Sequence, residues 1–143
     1  MVTAVALMKS FYIAIFGVLF AGVALATPAR VGHIIDGDTF SGVVSLDGGV
    51  DISVRVRIRN IDTPEIHGAC EFERDMAARA RDKLSELIPA GTVVELTNIR
   101  DDKYLGRIDA NVADSRGADV GRAMIRAGLA RAYNGGRRAA WCR

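Results

Sequence analysis

Apolar positions along this chain change period, and the changes divide it into elements. Ile52, Val54, Val56 and Ile58 alternate with Ser53, Arg55, Arg57 and Arg59. A period of two puts the apolar side chains on one face of a strand and the arginines on the other. The alternation breaks at Asn60-Ile61, and Asp62-Thr63-Pro64-Glu65 follows as a polar turn. Pro64 stops further ladder pairing and biases Thr63 to an extended conformation. Arg30–Ile35 and Thr39–Ser45 also read as strands, with Asp47-Gly48-Gly49 turning the chain into the strand Ile52–Asn60. From Cys70 to Leu87 the period lengthens. Met76, Ala77, Ala80, Leu84 and Leu87 recur at three- and four-residue intervals, which predicts an amphipathic helix ended by Pro89 and Gly91. Glu71, Glu73, Arg74, Asp75, Arg79 and Arg81 are expected on its solvated face. Thr92–Leu96 and Ile108–Val112 read as two more strands, separated by a charged loop from Asn98 to Arg107. A second helix is predicted over Ala118–Ala127, with Val120, Met124 and Ile125 inward and Gly128 as C-cap. The tail from Tyr133 is Gly- and Arg-rich and expected to be irregular, with Trp141 packing it on the body. The order β-β-β-α-β-β-α defines an α+β chain that is mainly β.

The N-terminus carries a different signal. Lys9 precedes an uncharged apolar run from Phe11 to Ala26 that closes on Ala24-Leu25-Ala26, an A-x-A cleavage site. Residues 1–26 are therefore expected to be a signal peptide, with a mature domain over residues 27–143 and a periplasmic or secreted location. The alternative is an uncleaved anchor, but the run is shorter than the ~20 residues a span needs. No stable membrane association is expected after cleavage. Lys9 is the only charge in the segment, so its removal takes the net charge from +2 to +1. Overall field therefore contributes little to binding a polyanion, and local arrangement must supply it. The cations are nearly all arginines, which suits bidentate contacts to phosphate.

Cys70 and Cys142 both lie in the mature part. In an exported chain an even count suggests a disulfide, here joining the start of the first helix to the C-terminus. A loop of this length is worth about 4 kcal/mol in the chain-entropy account. Two free thiols are the alternative; the absence of a Cys-x-x-Cys arrangement argues against a redox role.

Two acidic stretches carry candidate chemistry. Asp36-Gly37-Asp38-Thr39 forms a turn expected to point carboxylates outward, and pairing of the flanking strands would bring Asp38 towards Asp62. Carboxylates with a Thr oxygen and water make an all-oxygen site for a hard cation such as calcium or magnesium. The EF-hand spacing does not continue past Asp38, and two histidines are too few for zinc.

These residues, with Arg57, Ile61-Asp62-Thr63-Pro64-Glu65, Asp102-Lys103-Tyr104, Gly106-Arg107 and Gly128-Leu129-Ala130, resemble the thermonuclease family typified by staphylococcal nuclease. The match runs roughly from Arg30 to Tyr133, with the motifs in the family's order and spacing. The resemblance implies a five-stranded OB barrel with two to three helices, which the element order fits. It also implies metal-dependent cleavage of DNA and/or RNA phosphodiesters by general-base attack of a metal-associated water, with calcium expected ahead of magnesium. By similarity, Glu65 is the base, Arg57 and Arg107 are catalytic phosphate clamps, Asp38, Asp62 and Thr63 (through its carbonyl) bind the metal, and Lys103 and Tyr104 contact the substrate. The chain departs from the family at Leu105, inserted before Gly106, and lacks the long basic loop after the base. A monomer is expected. The alternative is an OB module that binds nucleic acid without cutting it.

Overall fold

The computed structural model describes residues 25–142. The expected leader lies outside these residues except for its last two positions. Five strands close into a barrel: β1 (Thr27–Ile34), β2 (Thr39–Leu46), β3 (Val50–Ile58), β5 (Val93–Asp101) and β6 (Arg107–Ala113), in the order β1-β2-β3-β6-β5. All neighbours are antiparallel except β3 and β6, which run parallel. That is the OB barrel, with helix α1 (Glu71–Leu87) inserted between its third and fourth strands. A short strand β4 (Ile61–Asp62), helix α2 (Val120–Arg126) and a short strand β7 (Arg131–Ala132) complete the described elements.

The core forms where the two predicted periods meet. Val56 and Ile58 of β3 are fully buried, as are Phe40, Leu96 and Ala110 from β2, β5 and β6. Ala80 and Leu84 of α1 and Val120 and Met124 of α2 close the ends of this cluster. Ile52 departs from the expected alternation: it lies near the hairpin end of β3 and is 40 % exposed. Ile125, expected inward, is also exposed, because α2 presents only Val120, Gly121 and Met124 to the barrel.

Two local features differ from the sequence expectation. The strand predicted to stop at Leu96 continues to Asp101, so part of the expected loop is β5. A register shift between Thr97 and Arg100 absorbs Asn98, whose φ of 51° is left-handed. Such a bulge lets pairing resume beyond a residue that breaks the alternation. The polar turn after β3 contains β4, which pairs with β7 through Ile61↔Ala132 and Asp62↔Arg131. The tail is tied down, as the two cysteines and Trp141 led one to expect. Cys70 and Cys142 form a disulfide with a Cα–Cα distance of 5.9 Å, and Trp141 is 9 % exposed. Among the described residues no helix is long and apolar enough to cross a membrane.

Candidate active site

The polar face of β3 separates its arginines by their partners. Arg55 Nη2 donates to the Leu105 carbonyl at 3.2 Å, and Arg59 Nη1 donates to the Asn98 carbonyl at 2.9 Å. Both clip neighbouring backbone. Arg57 Nη2 instead donates to Asp38 Oδ2 at 3.2 Å and to the Ile61 carbonyl at 3.3 Å. The β2–β3 register sets Thr39 opposite Arg57, which places the residue before it at the guanidinium.

Asp38 is held by its turn. Its N–H donates to Asp36 Oδ1 at 3.0 Å, and its Oδ1 accepts from Thr39 Oγ1 at 2.8 Å. A Cβ on Gly37 would lie 2.7 Å from Ala80 Cβ and 3.0 Å from Thr63 Cβ, so only glycine lets this turn lie between α1 and Thr63. The turn therefore folds inward, contrary to the outward carboxylates expected from the sequence, and Asp38 is 6 % exposed. Burial pushes its carboxyl up to about 7, Arg57 pulls the other way, and Asp36 adds to the rise.

Asp62, the last residue of β4, and Thr63, which follows it, are both buried. Asp62 Oδ2 accepts from the Trp141 indole N–H at 3.2 Å. Its Oδ1 is buried without a hydrogen bond; Arg138 Nε lies 3.2 Å away, within ion-pair range but out of line for donation. Arg138 Nη1 also pairs with Glu65 Oε1. Burial alone would lower the Arg138 pKa, but Asp62, Glu65 and Asp38 more than offset this and raise it. Glu65 itself is exposed, its side chain 57 % accessible.

The loop carrying Glu65 rests on a carboxylate from α1. Glu73 Oε1 accepts from the Glu65 N–H at 3.3 Å and Oε2 accepts from the Ala69 N–H at 3.2 Å. Glu73 is 8 % exposed, which corrects its expected place on the solvated helix face. A Cβ on Gly68 would lie 2.4 Å from Glu73 Cγ, so the loop lies directly against this side chain.

Arg107 opens β6 and donates from Nε to Asp102 Oδ2 at 2.5 Å. Burial would raise the Asp102 pKa, but the hydrogen bond from Arg107 overcomes it and lowers it. The Arg107 guanidinium lies 4.5 Å from the Tyr104 ring centroid, with Lys103 Nζ 5.0 Å from the same ring. Leu105 is 98 % exposed at the tip of this turn. The inserted residue is thus taken up in the turn, and Arg107 faces the same cavity as Glu65. That cavity, of about 680 Å³, is lined by Arg55, Glu65, Lys103, Tyr104, Arg107 and Arg138, with Tyr133 at its wall. Tyr133 also borders the adjoining recess that contains Arg57 and Asp109. Asp109 sits opposite Arg57 in the β3–β6 register; burial and then Asp102 raise its pKa.

The structure brings Glu65, Arg107, Lys103 and Tyr104 onto one cavity and joins Arg57 to Asp38 beside it. Asp38 and Asp62 are both buried, and both draw on the Arg138 guanidinium. Asp62 Oδ1 is buried without a hydrogen bond and ion-paired with Arg138; carboxylate oxygens of this kind, with a backbone carbonyl, are the donor type that calcium or magnesium takes. Sequence reasoning missed Glu73, Asp109 and Arg138. Trp141 was expected to pack, not to donate to Asp62.

A closed OB barrel with a mouth of arginines and carboxylates defines a polyanion-binding class of domain. A model of the staphylococcal nuclease homologue family matches residues 55–140, and the chain belongs to that family. No curated protein matches the chain.

Proposed function

We propose that this chain is an exported, calcium-dependent nuclease that hydrolyses phosphodiester bonds of DNA and/or RNA. The observation that carries this reading is the shared cavity of Glu65 and Arg107 beside the Arg57–Asp38 pair. One solvent-accessible carboxylate, paired with Arg138, and two guanidinium groups that suit phosphate oxygens support it.

In this reading Glu65 removes a proton from the attacking water. The water oxygen bonds to phosphorus, the bond to one sugar oxygen breaks, and that oxygen takes a proton from solvent. Arg57 and Arg107 receive the charge that spreads over the phosphate oxygens. General-base help supplies about 10²–10⁴-fold, a small part of what such hydrolysis needs, so these electrostatic contacts carry the larger share. Asp38, Asp62 and the Thr63 carbonyl would hold the calcium ion, which when bound supplies positive charge to the phosphate and acidity to water. Lys103 and Tyr104 grip the substrate strand.

The test uses the oxidised chain from Thr27 onward, single-stranded DNA, millimolar calcium, and parallel EDTA and Glu65→Gln samples. Cleavage that needs calcium and falls about 10²–10⁴-fold in the variant is the expected result. Cleavage that survives Glu65→Gln removes Glu65 from the mechanism. A folded protein that binds DNA but cuts it with neither calcium nor magnesium is the binding module instead.

A further inference from the structure

The Glu65 backbone is fixed at both ends. Its N–H donates to Glu73, and its carbonyl accepts from the Gly68 N–H at 2.9 Å. Its carboxylate has no comparable support from the barrel; Arg138 is the partner the structure gives it. A flexible, mostly accessible side chain on a rigid backbone samples several rotamers, and a base acts only from the one that meets the water.

Arg138 reaches Glu65 along a defined path. The Tyr133 N–H donates to the Asn60 carbonyl at 2.9 Å, continuing the β4–β7 pairing. Gly135 and Gly136 have φ of 96° and 87°, a conformation L side chains rarely adopt, and they reverse the chain. The Tyr133 hydroxyl donates to the Gly136 carbonyl at 2.7 Å and fixes that reversal. Beyond Arg138 the tail is held again. Arg131 Nη1 donates to the Ala140 carbonyl at 3.1 Å, the Arg131 guanidinium lies 3.6 Å from the Trp141 ring centroid, and Cys142 bonds to Cys70. Arg138 therefore sits on a short strap anchored on both sides, with Nε towards Asp62 and Nη1 on Glu65.

We propose that Arg138 is a positioning residue for the Glu65 carboxylate, delivered by a C-terminal strap that the Cys70–Cys142 disulfide holds against the barrel. The proposal rests on the nuclease reading above for the role of Glu65. Arg138 acts through Glu65, so its loss lowers turnover more than substrate affinity. In a background already lacking the base, its loss has nothing further to remove.

The experiment measures kcat and KM for the oxidised wild-type chain, Arg138→Gln, Glu65→Gln and the double variant. Arg138→Gln is expected to lower kcat about ten- to a hundredfold with KM changed by less than about threefold. The double variant is expected to be no slower than Glu65→Gln alone. A KM increase with kcat intact, or a double variant slowed by the product of the single effects, overturns the proposal. A second measurement needs no cleavage: carbon relaxation at Glu65 Cγ in wild type and Arg138→Gln. Loss of order at Cγ with an unchanged Glu65 amide supports positioning, and equal order overturns it. A wild-type chain that does not cut defeats the nuclease reading alone, because the relaxation comparison still decides whether Arg138 holds Glu65.

Discussion

The indole N–H of Trp141 donates to Asp62 Oδ2 at 3.2 Å across 79 residues of sequence. It joins the C-terminal end of the described residues to a buried carboxylate just past the end of β3. Asp62 is 3 % exposed, so this donor cannot be replaced readily by water. Trp141→Phe keeps the aromatic packing and removes the donor. It is expected to destabilise the fold by about 2 kcal/mol in urea unfolding. A variant as stable as wild type would show that water already serves Asp62.

The disulfide should matter to both stability and the site. Bridging 72 residues restricts the unfolded chain by about 4 kcal/mol in the chain-entropy account. For a domain of this size that corresponds to a melting temperature lower by roughly 15 °C after reduction. Trp141 is the only tryptophan, so its emission reports the strap directly. Reduction of the folded chain, or paired Cys70→Ser and Cys142→Ser substitution, is expected to shift that emission to the red and lower cleavage. Unchanged emission and melting would mean that the strap stays in place without its covalent anchor.

What was legible in the sequence divides along physical lines. The alternation around Arg57 and the helical spacing from Met76 to Leu84 are local signals, and they foretold the barrel and the inserted helix. Arg57 and Asp38 meet because adjacent strands pair in register, and their motifs belong to elements with clear periods. Glu73 was misread because helical periodicity describes the helix alone. The loop just before the helix, Glu65 to Ala69, folds back over that position and supplies two N–H donors. Asn98 was read as a loop residue because nothing local distinguishes a chain end from a bulge after which pairing resumes. Arg138 had no signal at all. It lies in an aperiodic segment, and its place depends on two glycine conformations, a two-residue strand pair and a disulfide acting together.

Glu73 gives a test of the loop beneath the base. Glu73→Gln retains the shape but replaces a charged acceptor of two backbone N–H groups with an amide that offers one oxygen. The expected loss is about 1–3 kcal/mol of stability, since one of the two donors is left unpaired. Cleavage should fall as well, because Glu65 is carried by the same loop. Full stability in the variant, read from urea unfolding, would mean that the loop holds its shape without this carboxylate.

Asp38 makes stability depend on pH with a definite sign. Burial raises its carboxyl from the usual 3.8 to about 7, so the folded chain binds this proton more tightly than the unfolded chain. Below about pH 4 both states are protonated and the group contributes nothing to the pH dependence. Between about pH 4 and 7 the unfolded state releases the proton first, and folding weakens as pH rises. Above about 7 the whole penalty, up to about 4 kcal/mol, is present and constant. Asp38→Asn carries no charge and escapes it. In EDTA the variant is therefore expected to gain on wild type steadily from pH 4 to 7 and to hold a fixed advantage beyond. Calcium favours the ionised carboxylate, so adding it above pH 7 should narrow that advantage by stabilising wild type alone. Parallel stability curves for the two proteins in EDTA would show that Arg57, 3.2 Å away, already compensates the buried charge in full.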